Sequence, residues 1–118
     1  MSNKKMVLQK LDLQFNVSEI LGKFSAELRQ QYQERLNYVV LFGSYARREA
    51  TSNSDVDVLI VLNELGNPTK ELQETSELTA QLCLDYSVLI SRMFMSRSRY
   101  ETEQSPLLKN IRREGVLL

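Results

Sequence analysis

Val39-Val40-Leu41-Phe42-Gly43-Ser44-Tyr45-Ala46-Arg47-Arg48-Glu49-Ala50-Thr51-Ser52-Asn53-Ser54-Asp55-Val56-Asp57-Val58-Leu59-Ile60-Val61-Leu62 is the stretch from which the rest of the chain can be read. Two apolar runs, 38–42 and 56–62, are short, rich in β-branched residues and bounded by turn formers. That pattern predicts two strands buried on both faces. Between them a polar loop opens with Gly43-Ser44 and closes with Asp55-Val56-Asp57. On a strand Asp55 and Asp57 point to the same side, roughly 7 Å apart along the chain. Two ionised carboxylates at the mouth of an apolar strand repel each other and call for a bridging cation. Hard oxygen donors of this kind suit Mg2+, which is held by one or two carboxylates together with substrate phosphates. Gly43-Ser44 adds unhindered backbone N–H groups and a hydroxyl, the groups that cradle a polyphosphate.

Working outward, composition narrows the functions open to the chain. Its 118 residues, 42% hydrophobic, suffice for one core and one domain, residues 1–118. Fifteen basic and fifteen acidic residues cancel. A neutral domain lacks the broad positive field on which non-specific nucleic-acid binding relies, so no direct DNA or RNA binding is expected. Histidine is absent, which excludes a Ser-His-Asp nucleophile, an imidazole base and a His-ligated zinc. The single cysteine, Cys83, has no partner for an internal disulfide and reads as a small buried hydrophobe. No apolar run approaches membrane-spanning length and no signal peptide is evident, so the expected location is cytoplasmic.

Upstream of the strands, Ile20, Leu21, Phe24, Leu28, Tyr32 and Leu36 recur at spacings of three and four, an amphipathic helix with Ser18 as its expected N-cap. Val7, Leu8, Leu11, Leu13 and Phe15 form a lead-in without clear period. Within the polar loop a helical turn is expected over 45–48. Downstream, Asn63, Gly66, Asn67 and Pro68 make a turn, and a helix starts at Pro68 or Thr69. Leu72, Leu78 and Leu82 are its apolar stripe, and Glu71, Glu74 and Glu77 its outer face. A third strand is expected over 84–90, with Asp85 inside it. A carboxylate in an apolar strand needs an explanation, because burying it unpaired is costly. It either joins the other aspartates or faces water from an edge strand. Met93 and Met95 read as core fillers, 96–103 as a polar segment of helical character with Tyr100 outside, and Ser105-Pro106 as a helix start. Leu107, Leu108 and Ile111 are expected inward, and Gly115 ends that helix.

Gly43-Ser44, ten residues, then Asp55-Val56-Asp57 resembles the signature of nucleotidyltransferases of the DNA polymerase β superfamily. The flanking Gly-Ser-Tyr-Ala-Arg and Ser-Asp-Val-Asp-Val-Leu-Ile resemble its smallest branch, the minimal nucleotidyltransferase (MNT) domains, many of them antitoxins of HEPN–MNT toxin–antitoxin pairs. The closing Arg-Glu-Gly-Val-Leu-Leu is similar too, so the resemblance spans about residues 18–118. It implies an α+β fold, a small mixed sheet with helices packed on one face. It further implies a catalytic and metal-binding triad of Asp55, Asp57 and Asp85 holding two Mg2+ ions. Gly43 and Ser44 would hold the phosphates of ATP, and Arg47 would either pair with phosphate oxygens or with Glu49. Arg48 departs from the family, which usually has glycine there, and puts the loop's shape in question. The activity implied is transfer of AMP to a tyrosine of a cognate HEPN-type toxin, with a hetero-oligomer as the working assembly. Two other readings stay open: an antitoxin that neutralises by binding alone, and a small-molecule nucleotidyltransferase.

Overall fold

Side chains alternate along the strand Val56–Leu62 (β2), so Val56, Val58, Ile60 and Leu62 enter one apolar cluster while Leu59 and Val61 enter another. A strand apolar on both sides belongs in the middle of a sheet covered twice. In this computed structural model, which describes residues 15–51 and 53–118, it lies there. With Leu36–Phe42 (β1), Ile90–Ser96 (β3) and Val116–Leu117 (β4) it forms a mixed sheet ordered β3-β2-β1-β4. β1 runs antiparallel to β2, with Phe42 opposite Asp57, and β4 antiparallel to β1. β3 is parallel to β2 and sets Ser91 beside Asp57.

A parallel pair needs a crossover. Helices Pro68–Glu74 (α2) and Ser76–Tyr86 (α3) provide it, following the long helix Phe15–Tyr32 (α1); Arg97–Thr102 (α4) and Pro106–Glu114 (α5) come after β3. The stripe Ile20, Leu21, Phe24, Leu28 and Tyr32 is buried as its spacing predicts. Ser18 is not the N-cap: the helix already includes Phe15, and Val17 is buried with the stripe. Leu36 is the first residue of β1 rather than the end of the helix. The lead-in expected over 7–14 lies outside the described residues.

The α+β class and the mixed sheet are as expected, but helices line both faces. α1 and α3 cover one face. On the other, Val40, Leu59, Val61 and Met95 are covered by Tyr100 of α4 and Leu108 and Ile111 of α5. Tyr100, expected outside, is therefore buried, its ring 5.5 Å from that of Tyr38. Leu107 turns outward instead.

The strand expected over 84–90 is corrected. Leu84, Asp85 and Tyr86 complete α3, and the strand begins at Ile90. The helix stops at Ser87, which takes a left-handed conformation (φ 55°, ψ 46°) and donates its N–H to Cys83 O. The crossover is also two helices rather than one, broken at Thr75. Asn67 caps the first, its Oδ1 accepting from Thr69 N at 3.0 Å. Glu71, expected on the outer face, is buried, accepting from Tyr32 OH at 2.8 Å and the Arg35 guanidinium at 3.0 Å. On the sheet's outer strand Arg92 reaches the same helix, donating to Leu72 O at 3.0 Å and to Thr75 Oγ1. α5 begins as read, Ser105 Oγ accepting from Leu108 N. Gly115 ends it for want of space: its backbone is extended (φ −66°), and a Cβ would lie 2.4 Å from Ile111 O.

Candidate active site

The chain leaves β1 at Gly43 with φ 77°, a left-handed value that favours glycine. There is a second reason for glycine. A Cβ at this position would stand 2.2 Å from Asp57 Oδ2, so the backbone of Gly43 lies directly against the carboxylate. Beyond it the loop closes as the expected helical turn, Arg47 N donating to Gly43 O (3.1 Å) and Glu49 N to Ser44 O (2.8 Å). Arg48 adopts φ 62°, so the left-handed step is kept without glycine. The far end of the loop is tied by Ser54, whose N–H donates to Thr51 O at 3.0 Å and whose Oγ accepts from Thr51 N at 2.9 Å.

Asp57 is half-buried on the α5 side of β2, and Asp55 is exposed just ahead of that strand. Burial pushes the Asp57 carboxyl above the usual aspartate range, the neighbouring charge of Asp55 adds to this, and Arg47 opposes it. Ionising both carboxylates therefore costs free energy that a cation between them would offset. The donor set fits Mg2+: two hard carboxylates, with room for phosphate oxygens. Arg47 pairs with Glu49 at 3.0 Å and lies 3.9 Å from Glu114, and its hydrogen bond to Glu49 raises its pKa further.

Two cavities adjoin the carboxylates. On the α5 side, about 350 Å3 is enclosed by Gly43, Ser44, Arg47, Asp57, Asn110 and Glu114, among others. On the α3 side, about 580 Å3 lies against Asp55, with Tyr45, Tyr86, Ser87, Leu84 and Leu89 on its wall.

Of the residues singled out by sequence, Gly43, Ser44, Arg47 and Asp57 share one cavity, and Asp55 is close enough to act on Asp57 electrostatically. Asp85 is not brought to them. It sits exposed near the end of α3, accepting from Gln81 Nε2 at 2.8 Å. Among the described residues no three acidic, histidine or cysteine side chains are grouped to hold a metal. β3 carries no carboxylate, and its residue beside Asp57 is Ser91. Among the described residues Asp55 and Asp57 stand as a pair, without Asp85. Sequence reasoning missed Asn110 and Glu114, although 107, 110, 111 and 114 follow helical spacing and mark one face of α5.

A family model described as a nucleotidyltransferase domain matches residues 21–116. Over 83 residues the chain is 36% identical to a Methanocaldococcus jannaschii protein named "Putative protein adenylyltransferase MJ0141", covering 70% of this chain and 82% of that one. A second protein of that organism, MJ0604, carries the same name and is 29% identical over 104 residues, 87% of this chain and 98% of its own. Among solved structures, a toxin–antitoxin crystallised with AMP-PNP aligns with a TM-score of 0.55 over 80% of this chain and 69% of that chain. Its identity is 19%, so this likeness is one of fold.

Proposed function

Because the chain belongs to the nucleotidyltransferase domain family, we propose that it moves AMP from ATP, with Mg2+, onto a tyrosine hydroxyl of a HEPN-type toxin and so acts as that toxin's antitoxin. The observation that carries this reading is the apposition of the Gly43 backbone to Asp57, with Asp55 beside it. The reading needs a phosphate cradle beside metal-holding carboxylates, and the closeness of Gly43 to Asp57 supports it. The relatives' name supports protein as the acceptor, and the fold neighbour's toxin–antitoxin context supports the kind of partner.

In the transfer the acceptor oxygen bonds to the α-phosphorus, the bond to the β-phosphate bridge breaks, and pyrophosphate leaves. The hydroxyl proton passes to solvent water. Mg2+, when bound, neutralises the phosphates and the charge developing on the reacting oxygens. Asp55 and Asp57 would hold it. Ser44 and the backbone N–H groups following Gly43 would bind the departing phosphates. Arg47 would exchange Glu49 for a phosphate oxygen, a geometry its guanidinium suits. A pair of carboxylates accommodates one cation readily; a second would draw its ligands from nucleotide and acceptor.

That no third carboxylate joins the pair among the described residues favours a second reading, an antitoxin that neutralises by contact. The product of the adjacent gene, incubated with this protein, ATP and Mg2+, should gain the mass of AMP on intact-mass spectrometry. Asp57→Asn should slow the transfer roughly a hundredfold or more while remaining folded. Equal neutralisation of an unmodified toxin by wild type and Asp57→Asn would falsify the enzymatic reading and leave the contact one.

A further inference from the structure

Resting on that reading, we infer that the cavity on the α3 side of Asp55 seats the acceptor polypeptide, and that Leu84 and Leu89 are its recognition residues. The two cavities differ in the charge they can accept. The α5-side cavity has Arg47, Ser44 and the Gly43 backbone to meet an anion, beside the carboxylates of Asp57 and Glu114. Among the described residues the α3-side cavity has no lysine or arginine on its wall, and Asp55 is its one acidic residue. A polyphosphate meets carboxylates in either cavity, but only the α5 side offers a guanidinium and a hydroxyl against them, so the triphosphate belongs there. What the α3-side cavity suits is an occupant without negative charge and with apolar surface.

The rim states the second requirement. Leu84 and Leu89 are 77% and 66% exposed, the two most exposed large apolar side chains among the described residues, and both border this one cavity. They stand on either side of Ser87, where the left-handed turn separates α3 from β3. The wall behind them is held in place. Tyr86 donates its hydroxyl to Glu19, and Lys23 lies 5.2 Å over its ring, bridged in turn to Glu19 at 3.7 Å. A volume of about 580 Å3 accommodates one large side chain with its flanking residues. The match is a polypeptide segment that presents a hydroxyl side chain towards Asp55 and apolar neighbours to the two leucines. Nucleotide and acceptor then reach the carboxylate pair from different cavities, which leaves the attacking and leaving oxygens free to take opposite sides of the phosphorus.

The test is the double variant Leu84→Ser/Leu89→Ser, with the product of the adjacent gene as acceptor. Both side chains are largely in solvent, so circular dichroism should show an unchanged fold. Acceptor affinity by calorimetry should fall at least about tenfold, since two leucines lose their burial on binding. The KM for the acceptor should rise by the same factor, with kcat and MgATP affinity unchanged. Unchanged acceptor affinity, or no binding of the acceptor to wild type, overturns the inference. A tenfold loss of MgATP affinity also overturns it, because the cavity would then belong to the nucleobase. Partner binding that depends on the leucines but moves no AMP overturns the enzymatic reading and, with it, the acceptor role of this cavity, and leaves the two leucines as a contact surface for the toxin.

Discussion

At the scale of single residues, the contact between Gly43 and Asp57 makes the sharpest demand. Gly43→Ala meets two penalties at once, a left-handed backbone and a Cβ 2.2 Å from Asp57 Oδ2. The backbone alone costs roughly 1–2 kcal/mol, and relief of the clash must move the carboxylate. Chemical denaturation should show at least that loss, and calorimetry a loss of Mg2+-dependent ATP binding. A variant with wild-type stability and binding would mean that the loop and Asp57 are independent. Asp57 itself makes a pH-dependent claim. A carboxyl whose pKa is raised by folding holds its proton more readily in the native state. Its contribution to stability is thus largest in acid and declines as pH rises from the ordinary aspartate value through the raised one. Asp57→Asn, neutral throughout, should melt above wild type at neutral pH in the absence of Mg2+, with the gap closing in acid. A neutral-pH melt below wild type would contradict the cost of burying the Asp57 charge beside Asp55. These residues were legible because glycine, serine and two aspartates at fixed spacing between two apolar runs leave few arrangements. Asp85 was not, because its role depended on which element carried it.

At the scale of elements, that misreading has a physical origin. Residues 84–90 are a short apolar run, and such runs do not distinguish a strand from the end of a helix. The usual helix stop was missing, since Ser87 takes the left-handed position that glycine or asparagine normally marks. The strand that follows lies at the sheet's edge, where Ser91 and Arg92 are tolerated, so no apolar alternation announces it. Glu71 was misplaced for a related reason: polar residues at helical spacing read as a solvated face, and only the tertiary fold brings Tyr32 and Arg35 to it. Burial by itself would raise the Glu71 pKa, but the hydrogen bonds from Arg35 and Tyr32 more than reverse this, and the net shift is downward. The stability gained is present above the ordinary glutamate value and is lost as pH falls through the lowered one. Glu71→Ala should cost roughly 2–3 kcal/mol in urea denaturation, because it also orphans a buried tyrosine hydroxyl. Asn67→Ala, which removes only the α2 cap, should cost about 1 kcal/mol. Equal costs would deny Glu71 its place as the link between α1 and the crossover.

At the scale of the whole molecule, the sheet depends on its last residues. β4 covers one edge of β1 with Val116 and Leu117, Leu118 N donates to Val39 O, and Arg29 of α1 donates to Leu118 O at 2.7 Å. Ending the chain at Glu114 would uncover that edge and take Val116 and Leu117 from the apolar clusters on the two faces of the sheet. Such a truncation should melt lower and associate with itself, as light scattering would reveal; a monomer of unchanged stability would show that β4 is ornamental. The same C-terminal region also reaches the candidate site, through Glu114 of α5 and its approach to Arg47. If Arg47 binds phosphate, that event is an exchange of anions, with Glu49 and Glu114 surrendering a cation they already hold. Added salt weakens both sides of an exchange, so nucleotide affinity should vary less with ionic strength than it would for an unpaired arginine. Neutralising the competitors, as in Glu49→Gln with Glu114→Gln, should tighten nucleotide binding in dilute buffer and make it more sensitive to salt. The acidic neighbours of Arg47 thus act as a built-in competitor that sets how firmly the nucleotide is held.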